Sequence, residues 1–407
     1  MALQQEQIRK LKALIFNPDT TQQGLQLFET LYSELSDIYA IFEIETCTSF
    51  EEISNYIGSK KLGAQIDAVW LLCLLGKHNV SWVVELEELT LTNRGKDRSF
   101  PENIRELVGL HTLDMSWGSY HICKPSQSEE LFVRLASIPN LKELTLFRNL
   151  FSRLPASIGL LTHIEKLVLK HNIAVTAGYR EIADEIKDIE KLEYGWYNRS
   201  IPTEIGNLTN LKYLELKECE TQLPQSIGNL HHLETLITDC NLTALDSSIG
   251  NLTNLKTLDL SGNKLRGLPP EIGNLTNLKT LNLSGNKLKD LPPEIGNLVC
   301  LQTLNLTNNE LSNLPMTVAG LSSLQILSLD KNKLTHFPSV LQYLTSLEEL
   351  TFYSNDITSI PDFVGNLMGE ISKSQNYDDY WSETIIEGDL EDELHEIMKT
   401  KYLKNQK

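Results

Sequence analysis

Aliphatic and polar residues follow one recurring pattern along most of the chain, LxxLxLxxNxLxxLPxxIGNLxx. With its first leucine counted as position one, the pattern begins twelve times, at Leu86, Leu110, Leu141, Ile164, Ile189, Leu211, Leu233, Leu255, Leu278, Leu301, Leu324 and Leu347. The last five starts are 23 residues apart, and the three intervals from Ile189 to Leu255 are 22 residues. A fixed period of this length is typical of a repeat array, so we predict stacked repeats, which we number one to twelve.

Each repeat predicts the same order of elements. The LxxLxL segment has the two-residue alternation of a short strand, and its leucines, such as Leu255, Leu258 and Leu260, belong to one buried stack. Asparagine at position nine has a short amide that can pair with backbone groups where the chain leaves the strand. Proline at position fifteen fixes an extended bend on the return path. Aliphatic residues at positions eighteen and twenty-one, such as Ile272 and Leu275, then close the outer wall.

This pattern resembles that of the intracellular leucine-rich repeat family with 23-residue repeats, a class found in Ras-pathway scaffolds, plant intracellular repeat proteins and many bacterial proteins. The resemblance covers roughly residues 86 to 367. It implies an α/β repeat fold, a curved leucine-rich repeat solenoid with a parallel sheet on its concave face. It says little about the ligand, because the same fold hosts many functions.

Two repeats are longer than the others and predict helices on the outer side. Repeat two has 31 residues and contains "SQSEELFVRLASIPN", in which Ser126 or Ser128 is expected to cap a helix. Repeat four has 25 residues and contains "GYREIADEIKDI", whose apolar spacing is also helical. We therefore expect a helical outer side near these repeats and thin, turn-like connections further along the array.

The regions on either side of the repeats have a different pattern. Residues 1–82 show helical spacing, and a solenoid needs a cap over its first strand, so we interpret them as an N-terminal helical cap. A separate docking domain is the alternative. Residues 83–367 form the solenoid, and residues 368–407 a C-terminal cap with an acidic tail. Between Asp378 and Glu396 there are nine acidic residues and no lysine or arginine, a run that is usually solvated but can serve as an interaction tail.

Charge and cysteine content narrow the kinds of partner. The chain has 54 acidic and 36 basic residues, and this excess repels phosphate backbones, so we expect no nucleic-acid partner. The longest apolar run, "AVWLLCLLG", is about half of what a membrane span needs, so we expect no membrane insertion. The six cysteines are scattered without a CxxC motif, and the first residues lack a signal-peptide core, which predicts a reduced, cytoplasmic chain.

The sequence lacks the common motifs for catalysis and metal binding. It contains no GxxxxGK[ST] phosphate loop, no GxSxG or HExxH motif and no calcium-loop pattern. His121 and Cys123 in "HIC" are two donors without two partners, which makes a weak metal site. We therefore expect no catalytic residue, no cofactor and no metal site, and predict that the protein is not an enzyme.

The positions expected to face the concave side differ along the array. Alternate strand residues face opposite ways, which assigns positions three, five, seven and eight to that side, including Cys240 at position eight of repeat seven. The regular repeats carry small polar residues there, whereas repeats two to six carry aromatic and charged ones. The candidate partner-binding residues are Trp117, Phe147, Arg148, Lys170, His171, Trp196, Tyr213 and Lys217. For each tryptophan alone, packing within its own repeat is an equally weighted alternative.

These observations favour a non-catalytic protein-protein interaction scaffold whose concave face binds another protein, mainly at repeats two to six. The acidic balance favours a partner with a basic or mixed patch. The first alternative is an effector or defence protein that is delivered outside its cell and uses the same face. The second is an enzyme with a pocket between the helical cap and the first repeats.

Overall fold

The computed structural model describes residues 88–90, 105, 107–115, 125–147, 154–170, 201–217, 222–358, 361 and 363. The predicted N-terminal helical cap, the helix expected in "GYREIADEIKDI" and the C-terminal cap with its acidic tail lie outside these residues. The chain divides into two compact halves, Met1–Leu192 and Glu193–Lys407, which we call the N-terminal and C-terminal halves.

The N-terminal half contains four described strands, each of which begins at position three of its repeat. They are β1 (Glu88–Thr90), β2 (Thr112–Asp114), β3 (Glu143–Phe147) and β4 (Lys166–Lys170). Neighbours in the chain pair in parallel, and equivalent positions lie side by side, so that Glu143 pairs with Lys166 and Phe147 with Lys170. The predicted register of repeats one to four is therefore confirmed.

The C-terminal half contains seven described strands in the same arrangement. They are β5 (Tyr213–Lys217), β6 (Thr235–Asp239), β7 (Thr257–Asp259), β8 (Thr280–Asn282), β9 (Thr303–Asn305), β10 (Ile326–Ser328) and β11 (Glu349–Thr351). All consecutive pairs from β5 to β11 are parallel, and Thr257, Thr280 and Thr303 occupy the same register position. The parallel sheet of a leucine-rich repeat solenoid follows from this stacking.

The core lies behind the strands and is made of the leucine positions. Leu255, Leu258 and Leu260 are fully buried, as predicted for positions one, four and six. Positions three and five on either side of the central leucine are half-buried, which is the alternation of a sheet with one covered face.

Position nine forms the predicted asparagine ladder. The buried Asn286 donates from Nδ2 to the carbonyls of Leu260 and Leu283, at 2.9 Å each, and its Oδ1 accepts the Leu265 N–H at 3.0 Å. The same three bonds recur one and two repeats later at Asn309 and Asn332. The ladder therefore pairs buried backbone groups of adjacent repeats that the strands leave unpaired.

The outer side is formed by short 3-10 turns, as expected for thin connections. Each turn follows an extended residue at position fifteen or its equivalent, such as Pro269 with φ −68° and ψ 148°. Ile272 in one such turn and Leu275 directly after it are fully buried. The turns span Ala156–Leu160, Thr203–Asn207, Gln225–Asn229, Ser247–Asn251, Pro270–Asn274, Pro293–Asn297, Met316–Gly320 and Ser339–Tyr343.

Repeat two has the predicted helix, α1 (Pro125–Ala136), but the predicted capping serines are wrong. The helix begins at Pro125, a residue type whose fixed φ and missing N–H suit the first helical position, so Ser126 and Ser128 lie inside it. The Glu129 backbone carbonyl and carboxylate accept hydrogen bonds from Ser157 in the next turn, each at 3.0 Å. Across the described ranges no helix has the length and apolarity needed to cross a membrane.

Candidate functional site

The side chains at positions three, five and seven project away from the leucine core and form what we call the open sheet face. In the regular repeats of the C-terminal half this face carries short polar groups, such as Thr280, Asn282 and Ser284 of repeat nine, all half-buried. Several of them bond within their own strand end: the Ser284 N–H donates to Asn282 Oδ1 at 3.1 Å. Small side chains that are already hydrogen-bonded within the strand offer a partner little contact area.

Strand β5 presents a different surface at the same three positions. The Tyr213 hydroxyl donates to Glu215 Oε2 at 3.1 Å, and Lys217 Nζ lies 3.5 Å from Glu215 Oε1. Glu215 is only 6 % exposed, while Tyr213 and Lys217 are half-buried. The buried carboxylate therefore holds an aromatic ring and a cation in fixed positions on the open sheet face; we call these three residues the β5 cluster.

The β5 cluster changes the acidity of its tyrosine. The pKa of the Tyr213 phenol is raised to about 12, mainly by burial and further by the negative charge of Glu215 and the hydrogen bond to it. The negative charge of the buried Glu215 disfavours the phenolate form of Tyr213, because that form would put a second negative charge beside it. Tyr213 is thus a hydrogen-bond donor throughout the physiological pH range.

The structure brings together some of the predicted site residues. Phe147 and Lys170 end β3 and β4 and pair in the parallel ladder of the N-terminal half, where Lys170 is half-buried. Tyr213 and Lys217 are joined through Glu215 in the C-terminal half. The remaining predicted residues, Trp117, Arg148, His171 and Trp196, lie outside the described residues, so their place on the face stays a prediction.

Glu215 is the residue of this cluster that the sequence comparison missed. Glu215 is at position five of repeat six, between the predicted residues Tyr213 and Lys217 at positions three and seven. The signal was present, because the regular repeats have Asp259, Asn282 and Asn305 there, one carbon shorter and without a tyrosine or lysine two residues away.

The assignment of Cys240 to the concave side is wrong. In regular repeats the N–H at position eleven donates to the next asparagine, and in repeat seven Leu242 makes this bond to Asn263 Oδ1 at 2.9 Å. The residue missing from this 22-residue repeat therefore precedes Cys240, which takes the place of the buried asparagine and is 0 % exposed. Cys240 is also disulfide-bonded, so the expectation of a fully reduced chain is wrong for this residue.

Acidic side chains line much of the open sheet face in the C-terminal half. Besides Glu215 they include Asp239, Asp259 and Asp330. Asp330 is buried, which raises the pKa of its carboxyl, while hydrogen bonds from the Thr351 hydroxyl and the Tyr353 N–H work in the opposite direction. Within the described ranges, no group of three or more His, Cys, Asp and Glu side chains is placed to hold a metal ion.

The repeat geometry and the sequence profile agree on the family. The profile of the family described as leucine-rich repeat region matches residues 188–283 and 269–399, which together span just over half of the chain. The protein therefore belongs to the leucine-rich repeat family. None of the curated proteins compared with the chain matches it.

Three solved structures are similar to this chain. A leucine-rich repeat protein of Leptospira interrogans is 26 % identical with a TM-score of 0.48, over 74 % of this chain and 79 % of that one. The leucine-rich repeat ectodomain of the Arabidopsis thaliana membrane receptor kinase GASSHO1/SCHENGEN3, solved in complex with CASPARIAN STRIP INTEGRITY FACTOR 2, is 22 % identical with a TM-score of 0.47, over 72 % and 38 %. An internalin of Listeria monocytogenes is 20 % identical with a TM-score of 0.47, over 79 % and 96 %.

Proposed function

We propose that this protein is a non-catalytic scaffold that binds another protein through the open sheet face, the concave face of a leucine-rich repeat solenoid. Solenoids of this kind offer extended surfaces on which a partner can lie across several repeats. The proposal assigns the contact to repeats two to six, where large side chains replace the small polar ones of the regular repeats.

The β5 cluster is the observation that carries this proposal. Tyrosine contributes a large, rigid contact surface with few rotatable bonds, and it is one of the residue types that dominate interface energies. Because Glu215 already holds Tyr213 and Lys217 in place, a partner does not have to order them on binding. Lower ordering cost means tighter binding for the same contact area.

Charge defines the kind of partner. The chain as a whole has a formal net charge of -18, so the proposed partner has a basic or mixed patch. Asp239, Asp259 and Asp330 lie outside repeats two to six, so their carboxylates act on the approach of the partner and not in the proposed contact. Complementary charge of this type mainly raises the association rate and rejects wrong partners, while the aromatic contact supplies affinity.

The proposal also places the scaffold in the cytoplasm, on the basis of its scattered cysteines and charge. The disulfide at Cys240 does not favour a strongly reducing compartment. Alkylation of thiols during denaturing lysis of the cells, which exposes the buried Cys240, followed by reduction and a second label, measures the oxidised fraction of Cys240. Full first-label incorporation at Cys240 supports the cytoplasmic assignment, and its absence contradicts it.

The test of the binding face uses two double variants at matched positions. Tyr213→Ala with Lys217→Ala changes positions three and seven of repeat six, and Thr280→Ala with Ser284→Ala changes the same positions of repeat nine. Proteins captured from a lysate of the source organism are quantified for both variants and the intact chain. We expect partner capture to fall about tenfold or more for the first variant only, since losing two anchor contacts removes on the order of 1.4 kcal/mol or more.

Circular dichroism shows whether each variant is folded before capture is compared. A partner retained equally by the intact chain and the repeat-six variant overturns the proposal. So does an equal loss in both variants, because that result assigns no special role to the β5 cluster. A folded Trp117→Ala, Trp196→Ala variant then tests whether the face extends to the predicted tryptophans.

A further inference from the structure

Another surface of the C-terminal half has the opposite charge to the chain as a whole. Positions ten and twelve of repeats eight and nine carry four exposed cations, Lys264, Arg266, Lys287 and Lys289. We call these four residues the basic edge. The loop residues of these two repeats contain one acid, Asp290, and Glu310 follows at position ten of repeat ten, where it forms an ion pair with Lys333. The chain as a whole has a formal net charge of -18. A local reversal of sign of this size is not expected from composition.

The backbone under the basic edge is fixed by hydrogen bonds between repeats. The Lys264 N–H donates to the Leu242 carbonyl at 2.8 Å, and the Lys287 N–H donates to the Leu265 carbonyl at 2.9 Å. The intervening Leu265 is fully buried and its N–H is held by the asparagine ladder. Stacked repeats are about 4.8 Å apart, and positions ten and twelve are separated by roughly 7 Å of extended chain. The four cations therefore project from a regular two-by-two array.

The basic edge differs from other cations of the protein in its pairing. Lys256 Nζ lies 2.6 Å from a Glu234 carboxylate oxygen, and Lys333 Nζ lies 3.0 Å from a Glu310 carboxylate oxygen. Within the described part of the chain, none of the four basic-edge side chains makes a hydrogen bond or ion pair. The charges of Lys287 and Lys289 help to lower the pKa of the nearby Glu310 carboxyl, but that carboxylate is paired directly with Lys333. The four basic-edge cations therefore have no direct partner among the described residues, whereas Lys256 and Lys333 have one.

We propose that the basic edge binds a segment of a partner protein that is rich in aspartate and glutamate. Consecutive acidic side chains have spacings of the same size as the array, so two or more carboxylates can meet separate cations at once. A long polyanion such as nucleic acid would also lie against the acidic remainder of the protein, and the repulsion disfavours it. A short acidic segment avoids that repulsion.

The chemistry of the site sets the kind of binding to expect. Exposed ion pairs contribute only about 0.2–1 kcal/mol each, so an acidic segment held by four cations binds weakly and reversibly. Screening by salt acts fully on such exposed groups. The basic edge lies after position nine, where the chain has left the strand, so it is separate from the open sheet face and the two surfaces select partners of opposite charge.

Fluorescence anisotropy of the full chain with a labelled peptide of alternating Asp and Glu tests this proposal. The test variant is Lys264→Glu with Lys287→Glu, and the control is Lys256→Glu with Lys279→Glu. Both change the net charge equally within repeats eight and nine, but the control residues are at position two, at the other end of the strand. We expect the test variant to lower the affinity about tenfold or more and the control to change it less than about twofold.

Four results would overturn the proposal. They are no binding of the acidic peptide by the intact chain, equal losses in the two variants, equal binding of a neutral Asn–Gln peptide, and tighter binding of a single-stranded oligonucleotide that the test variant also loses. The last result assigns the edge to nucleic acid. Binding that persists unchanged in about 1 M salt, where the Debye length is roughly 3 Å, also contradicts an electrostatic site.

Discussion

Thr238 takes a core position of repeat seven where the pattern has leucine. Its side chain is 1 % exposed, and its hydroxyl oxygen has no hydrogen-bond partner within the described structure. A buried hydroxyl without a partner has lost its water hydrogen bonds without replacement, at a cost of about 1–3 kcal/mol. Thr238→Val keeps the shape and removes the hydroxyl, so we expect the variant to be about 1–2 kcal/mol more stable to urea.

Thr235 in the same strand provides the control for this substitution. It is half-buried on the open sheet face, where its hydroxyl has access to water. Thr235→Val is expected to change the free energy of unfolding by less than about 0.5 kcal/mol. A destabilising Thr238→Val substitution would show that the hydroxyl has a role in the fold.

The raised pKa of Tyr213 predicts a pH dependence of stability. The unfolded chain loses this phenolic proton near the ordinary value of 10.0, whereas the folded chain keeps it up to about 12. The stability that this difference contributes is fully present below pH 10 and is lost as the pH rises towards 12. Thermal unfolding of Tyr213→Phe should therefore show a shallower loss of melting temperature between pH 10 and 12 than the intact chain. Tyr343→Phe, at a 53 % exposed tyrosine, should keep the slope of the intact chain.

At the residue scale, the sequence predicts the properties that follow from a residue's position in the repeat. It does not predict those that depend on contacts with other side chains. The burial of Leu258 and the backbone pairing of Asn286 follow from position alone. Repeat seven has 22 residues and therefore lacks one position of the 23-residue pattern. The burial of Cys240 depends on which position is missing, and the length of the repeat does not show this. The role of Glu215 in the β5 cluster follows only from the structure, which shows its hydrogen bond with Tyr213.

At the scale of elements, the 3-10 turns of repeats eight and nine stack so closely on the next turn that position nineteen, Gly273 and Gly296, leaves no room for a Cβ, whereas the turn of repeat ten has Ala319 there. A Cβ on Gly296 in the turn Pro293–Asn297 would lie 2.1 Å from the Thr317 backbone oxygen in the next turn. Gly296→Ala must therefore push two turns apart, and we expect a loss of about 2–3 kcal/mol in the free energy of unfolding by urea.

Gly267 offers a control for this prediction because a Cβ there meets nothing within 4 Å. Gly267→Ala restricts the unfolded chain without a clash, and should be neutral or stabilising by up to about 1 kcal/mol. If both alanines have the same effect, close stacking of the turns is not the reason for glycine at position nineteen.

Elements were predicted best where the pattern repeats. The two-residue alternation predicted where every described strand begins, and the repeat period predicted a turn between consecutive strands. The first residue of α1 was predicted less well. The stretch "KPSQSEE" contains two serines that could cap a helix and a proline that could begin one, all within four residues. Local propensity alone does not choose among them, because each residue type is common at the start of a helix.

At the scale of the whole molecule, we expect the regular repeats to supply stability and the varied repeats to supply the proposed binding surface. Regular repeats eight to eleven combine fully buried leucines with a continuous asparagine ladder, and most side chains on their open sheet face are small. Earlier repeats vary in length, from 22 to 31 residues, and carry the large side chains of the candidate face. Differences between the repeats therefore predict the position of a binding surface, but they do not identify the partner.

The same division predicts the order in which the repeats open. The stability of a repeat array is approximately a sum of terms for each repeat and for each contact between neighbours, so the most regular segment is the most stable. In native-state hydrogen exchange, we expect the N–H groups of Leu265, Leu288 and Leu311, which donate to the asparagine ladder, to exchange last. Amides of repeats two to six should exchange earlier, because these repeats vary in length and depart from the regular pattern. The reverse order would mean that the varied repeats hold the array together, and would contradict their assignment as a binding surface supported by a regular frame.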